Sequence, residues 1–238
     1  MENERKEIVS SSLDLAFELK EPAKTIINNC DTIDKDVKKV ANFALDHEKL
    51  TKDVANFALE EGEDLVKNIN DFSNKEHNLV NIAKFAAENE RPIKKSVDIA
   101  LDNKESIKDA IDSCDKKVKK VANTALEHEN LTKDVVDFGL DQGEKLATIA
   151  DNFSKKENKN ILDYGKLALD LNEPVYKSLD VIFNNKEDVK QVINENVEDG
   201  VLKDVMQFAV RHEELSRGVV EVAYRIGFGI ANGGCFIF

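Results

Sequence analysis

The 238-residue chain has no tryptophan, only three prolines, three cysteines and ten glycines, and no long apolar run. So little Pro and Gly beside abundant Ala, Leu, Lys and Glu excludes collagen-like, loop-rich and disulfide-dense classes, and predicts an all-α chain. Cys30, Cys114 and Cys235 are odd in number and lack C-x-x-C spacing, which excludes a disulfide framework and a zinc site and fits a reducing cytosol. Basic side chains are also short: 34 Lys and Arg face 47 Asp and Glu, a formal charge of -13. With no sustained basic run the chain is not built to track phosphates, so no nucleic-acid partner is expected. The longest uncharged stretch near the C-terminus, Ile226 to Phe238, is 13 residues, shorter than the roughly 20 that a membrane-spanning helix needs. The opening Glu2, Glu4, Arg5, Lys6 and Glu7 does not read as a secretory signal.

What is present is a repeat. The sixteen residues Lys39 to Val54 recur 81 positions later as Lys120 to Val135, with Thr124, Glu127 and Asn130 the only changes. The similarity runs on through Phe72-Ser73 and Phe153-Ser154, gains one residue, and resumes at Arg91-Pro92 against Glu173-Pro174. Inside each block Val40 to Leu45 returns unchanged as Val54 to Leu59, a period of 14. One small-residue slot falls at Ala16, Ala44, Ala58, Ala86, Ala100, Ala125, Gly139, Ala168 and Ala209. Such a rhythm predicts an α-solenoid of about sixteen short helices, each stabilised by its neighbours because helices of three turns are marginal alone.

The alternative is a bundle of longer helices, since 14 residues are two heptads. Punctuation favours the solenoid. Pro22, Pro92 and Pro174 share one phase, where Pro suits the first turn of a helix and would break its interior. Ser73 with Glu76, Asp102 with Glu105, Asp141 with Glu144, Ser154 with Glu157, and Asp170 with Glu173 read as capping boxes. Junctions without Pro or Gly, such as Asp46 to Lys49, leave continuous helix open. A single repeat domain over 1–225 followed by a Gly-rich apolar tail over 226–238 is the expected organisation.

No catalytic chemistry stands out. His47-Glu48, His128-Glu129 and His212-Glu213 resemble the start of a zinc-hydrolase helix, but Thr51, Thr132 and Ser216 occupy the position that needs a second His. The three histidines are therefore expected at helix junctions, and His77 as a solvated junction residue. Acidic side chains alternate with Lys as on a solvated face, so no carboxylate pair is singled out. Cys30 and Cys114 read as small core residues. Gly227, Gly229, Gly233 and Gly234 lack the strand-to-helix setting of a phosphate loop and read as a flexible, accessible segment. The chain is thus expected to be no enzyme, with no metal and no cofactor.

The last four residues, Cys235-Phe236-Ile237-Phe238, resemble a C-a-a-X prenylation box with aliphatic Ile237 in the second "a" position; Phe as X favours a geranylgeranyl group on Cys235. One lipid anchors only marginally, and the usual polybasic second signal is missing: Val201 to Phe238 is neutral, with Lys203, Arg211, Arg217 and Arg225 against Asp204, Glu213, Glu214 and Glu221. In the alternative, Phe228, Ile230 and the terminal aromatics cap the fold and Cys235 stays unmodified.

The helical repeat, the Lys and Asn richness and the Cys235 box together resemble the host-prenylated effectors of intracellular bacteria such as Legionella. What that resemblance implies is delivery into a eukaryotic cell, modification by a host prenyltransferase, and peripheral attachment to the cytosolic face of a host membrane. The function expected is a protein-binding scaffold or adaptor, its partner unnamed by the sequence; the alternative is a soluble structural or oligomerising helical protein.

Overall fold

A computed structural model describes residues 2–30, 32–76, 78–112 and 114–232, with side chains from Lys6 onward. The described residues are all-α: α1 (Glu2–Glu18), α2 (Lys20–Asn29), α3 (Lys35–Asp46), α4 (Glu48–Ser73), α5 (Leu79–Glu88), α6 (Glu90–Asp102), α7 (Lys104–Ile111), α8 (Lys116–Glu127), α9 (Glu129–Ser154), α10 (Ile161–Asp170), α11 (Asn172–Asn184), α12 (Lys186–Asn196), α13 (Val201–Arg211) and α14 (Glu213–Ala231). The series α3 to α7 is repeated as α8 to α12, and α13 and α14 begin a third copy: Val118 to Leu140 matches Leu202 to Tyr224 with an offset of 84.

Two compact units are distinguished by their internal packing. One comprises residues 1–71 and 91–126, hence α1 to α3, most of α4, and α6 to α8; its buried apolar side chains are Leu45, Leu50, Leu101 and Leu126. The other comprises 72–90 and 127–238, hence α5 and α9 to α14, with Ile193 and Val210 buried beside Pro174, Gly165, Gly227 and Gly229.

Most joints consist of one residue. His47, His128 and His212 interrupt the helices with φ between -114 and -118 and ψ between 65 and 69. Leu19, Asn89, Asn103, Leu171 and Asn185 do so nearer the bridge region, with ψ between -11 and 35. The expected helix starts at the prolines are seen: Pro22, Pro92 and Pro174 each stand third in α2, α6 and α11, where the missing amide costs no intrahelical bond.

Other expected boundaries differ. The Asp46–Lys49 junction, left open as continuous helix, is broken at His47, whereas the next junction runs through and makes α4 and α9 26 residues each. The difference lies in who satisfies the orphaned carbonyl. At His47 the hydroxyl of Thr51 donates to the Ala44 carbonyl at 2.8 Å, and Ser216 does the same for Ala209 at 2.9 Å. The Thr or Ser standing where a zinc site needs its second His is thus the residue that completes a helix break.

The expected capping boxes are corrected as well. Asp141 is interior to α9, and Ser73, Asp102, Ser154 and Asp170 are the last residues of their helices. Asn and Asp nearer the next helix take the cap, as their short acceptors favour. Asn78 accepts from the Asn81 amide, Asp34 from that of Asp36, and Asn160 forms a reciprocal box with Asp163.

Candidate interaction surface

The first two copies are fastened by the same polar clamp. In the first unit the buried Asn103 amide donates to the Asp53 carboxylate at 2.8 Å and to the Ile99 carbonyl at 2.8 Å, so one side chain both ends α6 and ties it to α4. In the second, Asn185 donates to Asp134 at 2.6 Å and to the Val181 carbonyl at 3.0 Å. The histidines follow the same plan. His47 Nδ1 lies 2.9 Å from Ser106 Oγ in α7, and His128 Nδ1 donates to Asp188 in α12 at 3.1 Å. Both histidines are tied to the partner helix of their own unit, as expected of junction residues; His77 lies outside the described residues. Burial pushes the Asp53 carboxyl up, but the Asn103 amide and the Lys49 ammonium together outweigh it and hold the carboxyl below its ordinary value.

A second contact is a helix crossing at one glycine position, which is close only at Gly227. Gly62, Gly143 and Gly227 are one position of the repeat. A Cβ on Gly143 of α9 would lie 3.9 Å from Ala83 of α5, and one on Gly227 of α14 would lie 2.6 Å from Ala168 Cβ of α10. Gly165 of α10 faces the same crossing, with Ile230 and the Gly227 carbonyl next to it. The glycines read as a flexible segment therefore belong, for Gly227 and Gly229, to buried helix. Closeness of backbones, not turn chemistry, demands glycine at Gly227. The signal was the spacing of Gly227 from Gly62 and Gly143.

The apolar residues left in solvent also recur. Val37, Val118 and Leu202 are 57%, 54% and 68% exposed; Val40, Val121 and Val205 are 69%, 70% and 57%; Val54, Val135 and Val219 are 49%, 51% and 60%. Three equivalent positions in three copies thus present branched apolar side chains to water, although Ala or a polar residue there would suit a merely solvated helix better. Periodicity alone misses them, because it assigns such residues to the core.

Cys30 is half-buried and Cys114 exposed, so neither is the core residue expected. The Thr32 hydroxyl and amide hold the Cys30 thiol below its ordinary range. Cys235, Phe236, Ile237 and Phe238 lie outside the described residues. Among the described residues no group of three or more His, Cys, Asp or Glu is placed to hold a metal ion, and no helix is long and apolar enough to cross a membrane. The chain matches no protein-family model, no curated protein and no solved structure.

Proposed function

We propose that the chain is a non-enzymatic helical-repeat scaffold of the α-solenoid kind, binding a protein partner through its repeated faces and tethered to the cytosolic face of a membrane by a geranylgeranyl group on Cys235. The exposure of the same apolar positions in all three copies carries the binding part of this reading. An enzyme concentrates convergent polar groups in one place. Here the recurring polar groups, Asn103 with Asp53 and Asn185 with Asp134, are spent on fastening helices.

The tether rests on the C-a-a-X box and on the resemblance to effectors of intracellular bacteria, which brings with it delivery into a eukaryotic cytosol. Helix α14 ends at Ala231, four residues before Cys235. An extended chain of that length reaches about 14 Å, so a lipid there would hold the α10–α14 crossing close to the bilayer.

The test is expression of wild type and Cys235→Ser in eukaryotic cells, followed by intact mass and membrane fractionation. Wild type should gain the mass of one geranylgeranyl group, lose Phe236 to Phe238 and sediment with membranes, and Cys235→Ser should do neither. An unmodified wild-type mass, or equal membrane association of the two proteins, overturns the tether.

A further inference from the structure

One of the repeated faces differs in charge. Residues Lys116 to Val121 of α8 read Lys-Lys-Val-Lys-Lys-Val, and Glu127 is the only acid in that helix. The rest of the chain therefore carries 30 basic against 46 acidic side chains. Lys116, Lys117 and Lys120 are exposed, as are Val118 and Val121 at 54% and 70%. Lys119 pairs with Asp112, while the ammonium groups of Lys116 and Lys117 make no ion pair with the described residues. Helical spacing puts Lys117 and Lys120 along one edge of the Val118–Val121 face.

Fold stability does not explain this arrangement. Cations in the opening turns of a helix are disfavoured by its dipole, by about 0.3–1 kcal/mol each. The equivalent helix α3 has Asp36 where α8 has Lys117, and α13 has Asp204 where α8 has Lys120. A local rule broken at Lys116 and Lys117, whose ammonium groups gain no ion pair from the described residues, marks a place shaped for something else.

Resting on the scaffold reading above, the geometry points to the opening half of α8 as the docking surface for an acidic amphipathic helix of a partner protein. Apolar side chains of that helix, at i and i+3 or i+4, cover Val118 and Val121, and its flanking carboxylates meet Lys116, Lys117 and Lys120. A protein segment fits better than an anionic bilayer for two reasons. Membrane-seeking helices bury broad faces of Leu, Phe and Trp, whereas this face offers two valines. A bilayer is also an extended charged plane that meets the acidic remainder of the chain, whereas a single helix responds to charges within about 8 Å, where α8 dominates.

The probe is a synthetic peptide of about 18 residues with leucines at helical spacing and glutamates on both flanks; its counterpart carries lysines instead. Fluorescence anisotropy with the full chain should show binding of the glutamate peptide alone. Lys116→Glu/Lys117→Glu should weaken it at least tenfold, as should Val118→Asn/Val121→Asn and a rise in salt from about 50 to 300 mM. The lysine-to-glutamate pair should leave the melting temperature unchanged or raise it, because the dipole then favours the new charges, so lost binding is not lost folding.

Absence of binding, equal binding of the lysine peptide, or indifference to both variant pairs overturns the inference. So does α8-dependent self-association in sedimentation, which makes the occupant a second copy, or α8-dependent binding to phosphatidylserine vesicles, which makes it a membrane. Failure of the peptide leaves the scaffold reading to its own test: partner adducts formed at the exposed valines of the other copies.

Discussion

Alanine placed at Gly62, Gly143 and Gly227 makes one substitution at one repeat position in three surroundings. All three are helical, so each change gains about 1 kcal/mol of helix propensity. Gly62 has nothing within 4 Å of the new methyl and Gly143 only Ala83 at 3.9 Å, an ordinary contact, so both variants should be stabilised. At Gly227 the methyl would stand 2.6 Å from Ala168 Cβ, more than 1 Å inside normal carbon contact. Neither atom belongs to a flexible side chain, so α10 and α14 must separate. Overpacking of this kind costs about 1–3 kcal/mol, which leaves Gly227→Ala less stable than wild type by about 1 kcal/mol.

The two ends of the series thus differ by about 2 kcal/mol, or roughly 4–8 °C in Tm for a chain of this length. Circular dichroism melts of the three single variants measure it. If Gly227→Ala rises in Tm as Gly62→Ala does, the close crossing of α10 and α14 is wrong.

Other consequences are as specific. Thr51→Val removes the hydroxyl that satisfies the Ala44 carbonyl and should lower stability by about 1 kcal/mol, whereas Thr51→Ser should be close to neutral; chemical denaturation of both checks it. Asn185→Ala strips two side-chain hydrogen bonds, to Asp134 and to the Val181 carbonyl, which keeps its bond from the backbone amide of residue 185, for a loss of about 2 kcal/mol, and Asn103→Ala should cost a similar amount in the other unit.

Lys24, then Lys20, hold the Asp46 carboxyl down to about 2 from 3.8. Since the folded value is the lower one, this contribution is complete above about pH 4 and is lost as pH falls toward 2. Half-exposed and screened, it amounts to no more than about 1 kcal/mol. Asp46→Asn should therefore be less stable than wild type at pH 7 and equal to it at pH 2 in acid melts. Glu60, Asp141, Asp163 and Glu173 are lowered by neighbouring lysines in the same sense and add to the acid lability.

Much of this fold was legible in the repeat. Helix class, the three proline starts and the placing of His47, His128 and His212 at joints all follow from period and phase. Boundaries followed less well, because two features compete at each joint. A capping-box pattern at Ser73 or Asp141 satisfies a local rule, but tertiary contacts decide: Asn103 and Asn185 reach a carboxylate on another helix, and Gly227 admits a neighbouring backbone. Those partners are about 50 to 60 residues away in sequence and leave no local trace. The exposed valines were hidden for the opposite reason, since hydrophobic periodicity reports which face is apolar and not whether anything covers it. The candidate surface is marked by exposure shared across the three copies.

The most direct measurement for the scaffold reading is site-specific photocrosslinking in eukaryotic cells. A photoreactive phenylalanine is placed at Val40 or Val205, and at exposed Glu105 as a control. The account predicts adducts with the same protein from the valine positions and none from Glu105. Adducts from all positions alike, or from none, contradict it.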